Sequence, residues 1–170
     1  KGTLNLIGTV FEYDNNPEWD IEYDDIEITY ALHRWSWLLM NNSEKNGLIP
    51  YNQGILLMQS WIENQMDNKV NKAWASYTVS ERIANTSIYF KIYEKIDKSI
   101  EENLIPIQIK HAVLNMLGHL SKKLEYRGSY TNNHIINNGR ALYLGGITLG
   151  SEDFINLGKA IIINELNKFI

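Results

Sequence analysis

The sequence predicts an all-α fold of about six or more helices, stacked as helical hairpins, behind a short extended segment at the N-terminus. Apolar and aromatic residues recur at three- and four-residue steps from about residue 23 onward, which is the period of a helix with one buried face. Helix start signals recur along the chain with short connections between them, as in stacked helical hairpins. Because the 170 residues are 44% hydrophobic and 21% charged, we expect one helical domain over 1–170.

The N-terminal part is predicted to contain an extended segment followed by a helix. Residues 4–11 form a short apolar run typical of a strand, and turn-forming residues at 14–17 end it. A first helix is then predicted over 23–40, ended by 41–43 and Gly47. The residues that give its helical period include Ile26, Tyr30, Trp37 and Leu38.

The second and third helices have recognisable start signals. Pro50 suits the first turn of a helix, where its missing N–H costs nothing, and this helix is predicted to stop at 67–69. Thr78 followed by Glu81 fits a capping box, in which each side chain satisfies a free backbone N–H. The third helix is therefore expected to run from this box to about Lys98.

Three more helices are predicted in the second half of the chain. A fourth helix spans about 106–126, and a fifth begins near Asn132. A sixth follows residues 151–153, whose acidic side chains complement the positive end of a helix dipole. The apolar residues 169–170 are predicted to be still helical, and we interpret the chain as a truncated domain.

Composition excludes several classes of protein. The net charge is −4 and the Lys and Arg residues are scattered, so nucleic acid is not an expected partner. There is no cysteine, and no apolar run approaches the roughly 20 residues of a membrane span. Phosphate-binding loops and dinucleotide fingerprints are absent, and His111 and His119 lack a carboxylate at a ligand spacing. We therefore predict neither cofactor nor metal.

One segment, 125–134, concentrates acidic, basic, phenolic, amide and imidazole groups just before an apolar helix. Thr131 or Asn132 can cap that helix, which places Asn133 and His134 in its first turn. Free backbone N–H groups and the helix dipole favour an anion there, so a carboxylate can dock. The alternative is that the asparagines are only caps and that His134 is a satisfied buried histidine.

A second cluster lies at 74–85. Arg82 and Asn85 are three residues apart on one helical face, and this helix is entered past Trp74 and Tyr77. A guanidinium suits carboxylate or sulfate groups, and flat aromatic rings suit the apolar faces of sugars. The alternative is a core tryptophan and a structural arginine.

The group at 33–37 leaves a similar choice, because His33, Arg34, Trp35 and Trp37 suit either a sugar cleft or the core. Periodicity favours the core for the two tryptophans, since they lie inside a helical pattern.

Several segments, taken in order, resemble the N-terminal helical domain of the heparinase II/III superfamily of polysaccharide lyases. The resemblance covers nearly the whole chain, and its most specific part is Asn133-His134 with Asn138, Ala141 and Leu142, which is similar to the family's Asn-His-x-x-x-Asn-x-x-Ala-Leu pattern. The other similar segments are 4–8 before Trp19-Asp20, 30–38, 61–64, 74–77 with 80–85, and 124–128.

The resemblance implies an incomplete (α/α) toroid, followed in the full-length protein by a β-sandwich domain, and cleavage of acidic polysaccharides by β-elimination. It implies that Asn133 binds the uronate carboxylate and that His134 assists proton transfer. A tyrosine from a segment after Ile170 would complete the acid–base pair, so the fragment alone is expected to be inactive. The residues that we assign to substrate binding are Trp74, Tyr77, Arg82, Asn85, Glu125 and Asn138.

An anionic substrate prefers a basic cleft, which Arg82, Arg127 and Arg140 are expected to supply locally despite the net acidity. Two alternatives remain open: a non-catalytic carbohydrate-binding or structural helical domain, and a toroid glycoside hydrolase with Glu81 and Glu125 as the acid–base pair. A degradative lyase would be periplasmic or extracellular.

Overall fold

A computed structural model describes residues 1–40, 47–69, 71–97, 104–128 and 131–168. As predicted, these residues are mostly helical, with six α-helices after a small N-terminal sheet. The strands are β1 (Gly2–Leu6) and β2 (Thr9–Tyr13), and the helices are α1 (Ile26–Arg34), α2 (Tyr51–Gln65), α3 (Ser76–Ile96), α4 (Ile107–Ser121), α5 (His134–Leu149) and α6 (Glu152–Leu166). Two short 3-10 helices cover Ser36–Leu39 and Lys72–Trp74.

The N-terminal extended segment is a β-hairpin rather than a single run. Strands β1 and β2 pair antiparallel, with Leu4 opposite Phe11. The turn is formed by Ile7 and Gly8, which have φ angles of 46° and 90°, as the tight turns of two-residue hairpins require. The sequence pattern does not predict this turn, because Ile7 is not one of the residues that usually adopt a positive φ.

The first helix is shorter than predicted, because it ends at Arg34 instead of continuing to Met40. Trp35 adopts a left-handed conformation with φ of 57°, and a 3-10 helix follows. In an uninterrupted α-helix, the side chains of residues 35 and 37 would point about 160° apart. The break directs both tryptophans into the core, where Trp35 packs edge-on against Trp61 with ring centroids 5.2 Å apart. The predicted helix end at 41–43 lies outside the described residues.

The starts of the next helices agree with the prolines but not with the predicted capping box. Pro50 and Pro106 are the residues immediately before α2 and α4. Helix α3 begins at Ser76, before Thr78, whose side chain is buried. The capping box is therefore a wrong prediction, and the sequence-based end near Lys98 lies outside the described residues.

The second half of the chain is organised around α5, which packs against α3, α4 and α6. Helix α4 ends at Ser121, five residues before the predicted end, so that the segment after it returns to α5. Helix α6 begins after Ser151, as predicted, and residues 169–170 lie outside the described residues. In the part of the chain described here, none of the helices combines the length and the apolar character that a membrane span requires.

Helices α5 and α6 approach each other backbone to backbone. A Cβ atom added to Gly158 of α6 would collide with the Tyr143 N atom and lie 2.5 Å from the carbonyl oxygen of Gly139, both on α5. Gly146 of α5 is similarly crowded by the Ile155 N atom at 2.7 Å. Only glycine fits at these crossing points, so the two glycines are required for this close packing of α5 on α6.

We expect Gly158→Ala to destabilise the protein by about 2 kcal/mol or more, because the added methyl group meets backbone atoms that cannot rotate away. Thermal unfolding followed by circular dichroism measures the change. The matched control is Gly118→Ala in α4, where a Cβ atom meets nothing within 4 Å. This control should gain about 0.5–1 kcal/mol from helix propensity, and equal effects of the two substitutions would contradict the close approach.

Candidate functional site

At the N-terminus of α5, Asn132 and Asn133 have different roles. The Asn132 Oδ1 atom accepts a hydrogen bond of 3.0 Å from the His134 backbone N–H and so caps the helix. Asn133 adopts a helical conformation and makes no capping bond with its side chain. Its amide is exposed and has no hydrogen-bond partner among the described residues. Asn132 thus behaves as a cap, as predicted, whereas the side chain of Asn133 is free to bind a ligand.

His134 is held by a carboxylate and a ring. Its Nδ1 atom lies 3.2 Å from the Glu125 Oε1 atom, and its ring packs against Tyr77 with the centroids 4.6 Å apart. The His134 side chain is 37% exposed, which excludes the alternative of a satisfied buried histidine. A carboxylate on Nδ1 orients an imidazole and sets which ring nitrogen carries the proton, an arrangement found in general bases.

Glu125 is itself fixed by Asn138. The Asn138 amide donates to the Glu125 Oε2 atom at 3.2 Å and to the Ser80 Oγ atom at 3.0 Å, and the Glu125 backbone N–H donates to the Asn138 Oδ1 atom at 2.9 Å. Asn138 is completely buried, which corrects the prediction that it binds substrate. It positions Glu125, whose side chain is only 12% exposed.

Positive charge near this cluster comes from arginines that differ in part from those predicted. The Arg34 guanidinium lies 5.2 Å from the centroid of the Tyr77 ring, and Arg127 Nη2 lies 3.6 Å from Glu125 Oε1. Arg140 is paired with Glu81 at 2.7 Å, and Arg34 is paired with Glu27 at 3.0 Å. The 33–37 group in the sequence includes Arg34 but does not connect it with this cluster, because the contact with Tyr77 joins two helices and leaves no local signal.

The predicted binding residues Arg82 and Trp74 belong to the core. Arg82 is 0% exposed, and it donates to the carbonyl oxygens of His33 at 2.7 Å and Ala73 at 2.9 Å. Its guanidinium lies 4.1 Å from the centroid of the Trp61 ring, and burial lowers the pKa of Arg82 to about 9. Trp74 is 3% exposed. The prediction that these residues contact substrate is corrected by their burial, and the alternative of a core tryptophan and a structural arginine is confirmed.

Asn85 is also used within the protein. It is 9% exposed, and its Nδ2 atom donates to the Arg34 carbonyl oxygen at 2.9 Å, which fixes the end of α1. Of the predicted site residues, the structure therefore brings Asn133, His134, Glu125 and Tyr77 together at an accessible surface. Asn138 supports them from below.

Two of the other histidines, His33 and His119, have partners inside the protein. His33 is 4% exposed, and its Nδ1 atom accepts a hydrogen bond of 3.1 Å from the Trp61 Nε1–H group. His119 Nε2 lies 3.2 Å from the Trp74 carbonyl oxygen. Within the described ranges, no group of three or more His, Asp or Glu side chains is arranged to hold a metal ion.

Comparisons with known proteins return no match to a family model, to a curated protein or to a solved structure.

We expect Asn138→Asp to destabilise the protein by about 2–4 kcal/mol at pH 7, because it places a second carboxylate against Glu125 in a buried position. The loss should shrink at pH 5, where the pair can share a proton. Urea unfolding at both pH values measures the effect. Asn156→Asp on the exposed face of α6 is the control and should have little effect at either pH. An equal loss for Asn138→Asp at both pH values would argue against the Glu125 contact.

We also expect His33 to make the protein less stable in acid. Burial, with a smaller contribution from the Arg82 charge, lowers the pKa of His33 from 6.5 to about 4, although Asp20 opposes the shift. The unfolded chain therefore binds a proton at a higher pH than the folded protein does. The contribution of neutral His33 to the free energy of unfolding is fully present above pH 6.5. It falls by about 3 kcal/mol as the pH drops to 4.

Urea unfolding from pH 7 to pH 4 tests this expectation by comparing the wild type with His33→Gln, whose side chain can still accept the Trp61 N–H group. The variant should lose less stability than the wild type across that range. Parallel pH profiles would be inconsistent with a buried neutral His33.

Proposed function

We propose that Asn133, His134 and Glu125 form the carboxylate-binding and proton-transfer part of a polysaccharide lyase. The substrate in this proposal is an acidic polysaccharide that contains uronic acid, cleaved by β-elimination. The observation that carries the proposal is the 3.2 Å contact between His134 and Glu125 beside the unpartnered amide of Asn133, at the N-terminus of the 16-residue helix α5. The proposal also places the helices in an incomplete (α/α) toroid, which works with a β-sandwich domain of the full-length protein.

The carboxylate of a uronate needs donors where negative charge grows. Removal of the C5 proton sends electron density onto the carboxylate oxygens, so a donor that meets these oxygens lowers the barrier. The Asn133 amide can donate two N–H groups without breaking a bond inside the protein. The positive end of the α5 dipole adds to this stabilisation.

His134 acts as the base in this scheme. Glu125 on Nδ1 leaves Nε2 to accept the C5 proton, and the carboxylate then stabilises the imidazolium. The C5–H electron pair becomes the C4=C5 double bond, and the bond from C4 to the glycosidic oxygen breaks. The leaving oxygen takes a proton from a general acid, a role that the resemblance assigns to a tyrosine outside residues 1–170.

Local charge is compatible with an anionic substrate in spite of the net charge of −4. Arg127 is 62% exposed beside Glu125, and Arg34 lies against the Tyr77 ring that contacts His134. Arg34 is paired with Glu27 at 3.0 Å, so Arg127 is the cation that can offset the Glu125 charge at the surface that a polysaccharide would approach.

The test is an absorbance assay on the full-length protein with uronate polymers such as alginate and heparan sulfate, because the conjugated double bond of a lyase product absorbs in the ultraviolet. We expect Asn133→Ala to lower kcat by about 10²–10³-fold, as the loss of one transition-state donor does. The control is Asn164→Ala on the exposed side of α6, which should keep wild-type activity. Glu125→Gln should also lower kcat, because the imidazolium loses its counter-charge.

The possible outcomes separate the three functions. Reducing ends that appear without absorbance would indicate hydrolysis and overturn the lyase proposal. Saturable binding of a polymer without cleavage would indicate a non-catalytic carbohydrate-binding domain. Full activity of Asn133→Ala would remove that residue from the mechanism.

A further inference from the structure

A second polar concavity lies where the segment after β2 crosses α1 and the residues that follow α2. It has a volume of about 180 Å³, and it is separate from the cluster at the start of α5. Its base is formed by three buried side chains, Trp19, Thr29 and His33, which are 3%, 1% and 4% exposed. At about 30 Å³ per water molecule, it has room for about six waters, which suits a compact small molecule.

The base presents hydrogen-bond donors. Trp61 Nε1–H donates to His33 Nδ1, and an indole nitrogen can only donate. Neutral His33 must therefore carry its proton on Nε2, which has no partner among the described residues. Thr29 Oγ1 accepts from the Tyr23 backbone N–H at 2.9 Å, and no described group accepts its hydroxyl hydrogen. Because residues 29 and 33 are one helical turn apart, the two donors lie side by side.

The mouth presents an oriented acceptor. Gln65, which is 0% exposed, donates from Nε2 to Asp20 Oδ1 at 2.6 Å, while its Oε1 accepts from the Asn71 amide at 2.8 Å. This chain of bonds fixes one carboxylate oxygen of Asp20 and leaves the other without a partner in the described residues. Glu22 at the mouth is neutralised by Lys72 at 2.9 Å.

These groups define the class of ligand. A metal ion is excluded at His33, because the Nε2 proton occupies the position of the lone pair. An anion is disfavoured, because it would be repelled by the negative charge of Asp20. A hydroxyl group fits both ends, since it accepts from the donors of the base while a neighbouring hydroxyl donates to Asp20.

We propose that this cavity binds a neutral, hydroxyl-rich molecule no larger than one sugar ring, held by His33 Nε2–H, the Thr29 hydroxyl and the Asp20 carboxylate. Trp19, which is buried and lines the cavity, supplies apolar surface against which such a ring packs. The proposal does not rest on the lyase function, because none of these residues belongs to the cluster at the start of α5.

The experiment is a titration of the protein, labelled with ¹⁵N at histidine, with glycerol, glucose, galactose and mannose. Glycine and acetate serve as zwitterionic and anionic probes. We expect a saturable shift of the His33 Nε2 resonance with at least one neutral polyol and none with acetate or glycine. Asp20→Asn should weaken the binding about tenfold, which corresponds to about 1.4 kcal/mol.

The matched control is Asp24→Asn, which removes the same charge from an exposed residue of the same segment that does not line the cavity. Binding to this variant should equal that of the wild type, and an equal loss in both variants would overturn the assigned contact. No shift with any polyol would mean that the cavity holds only water. A shift with glycine or acetate alone would overturn the ligand class.

Discussion

The arrangement of the first three helices depends on the contacts of one buried group, the guanidinium of Arg82. From α3 it donates to the last turn of α1 and to the 3-10 helix at Lys72–Trp74, and it stacks on the Trp61 ring of α2. Carbonyl dipoles and indole faces compensate its charge, and no carboxylate in the described residues pairs with it. Because a buried cation without these partners would be costly, the segments that supply them must keep their relative positions.

That arrangement sets the end of α1. The last turn of α1 in turn contributes side chains to both the cluster around His134 and the small cavity lined by His33. The His33 carbonyl is held by Arg82, and the next carbonyl, of Arg34, is held by Asn85. On one face of this turn the Arg34 side chain reaches Tyr77 and the cluster around His134. On the adjacent face the His33 ring lines the small cavity. One helix end thus orients a cation toward one site and an N–H donor toward the other.

Sequence periodicity and the prolines predicted most helices, because both depend on neighbouring residues. The left-handed Trp35 and the early end of α4 were missed, since they follow from contacts with distant segments. The same distinction applies to the site. Asn133, His134 and Glu125 are close in the sequence and could be grouped by inspection. Arg82, Trp74, Asn85 and Asn138 were assigned to substrate binding because polar and aromatic types suggest recognition, yet their burial depends on tertiary packing. The toroid arrangement and the lyase chemistry remain predictions.

The glycine contacts between α5 and α6 have a mechanical consequence for Asn133. Where two helix backbones touch without intervening side chains, neither helix can slide or rotate until the pair separates. Helix α5, with 16 residues, is about 24 Å long at a rise of 1.5 Å per residue. We therefore expect α5 and α6 to move together, so that a displacement of α6 is passed on to Asn133 at the N-terminus of α5.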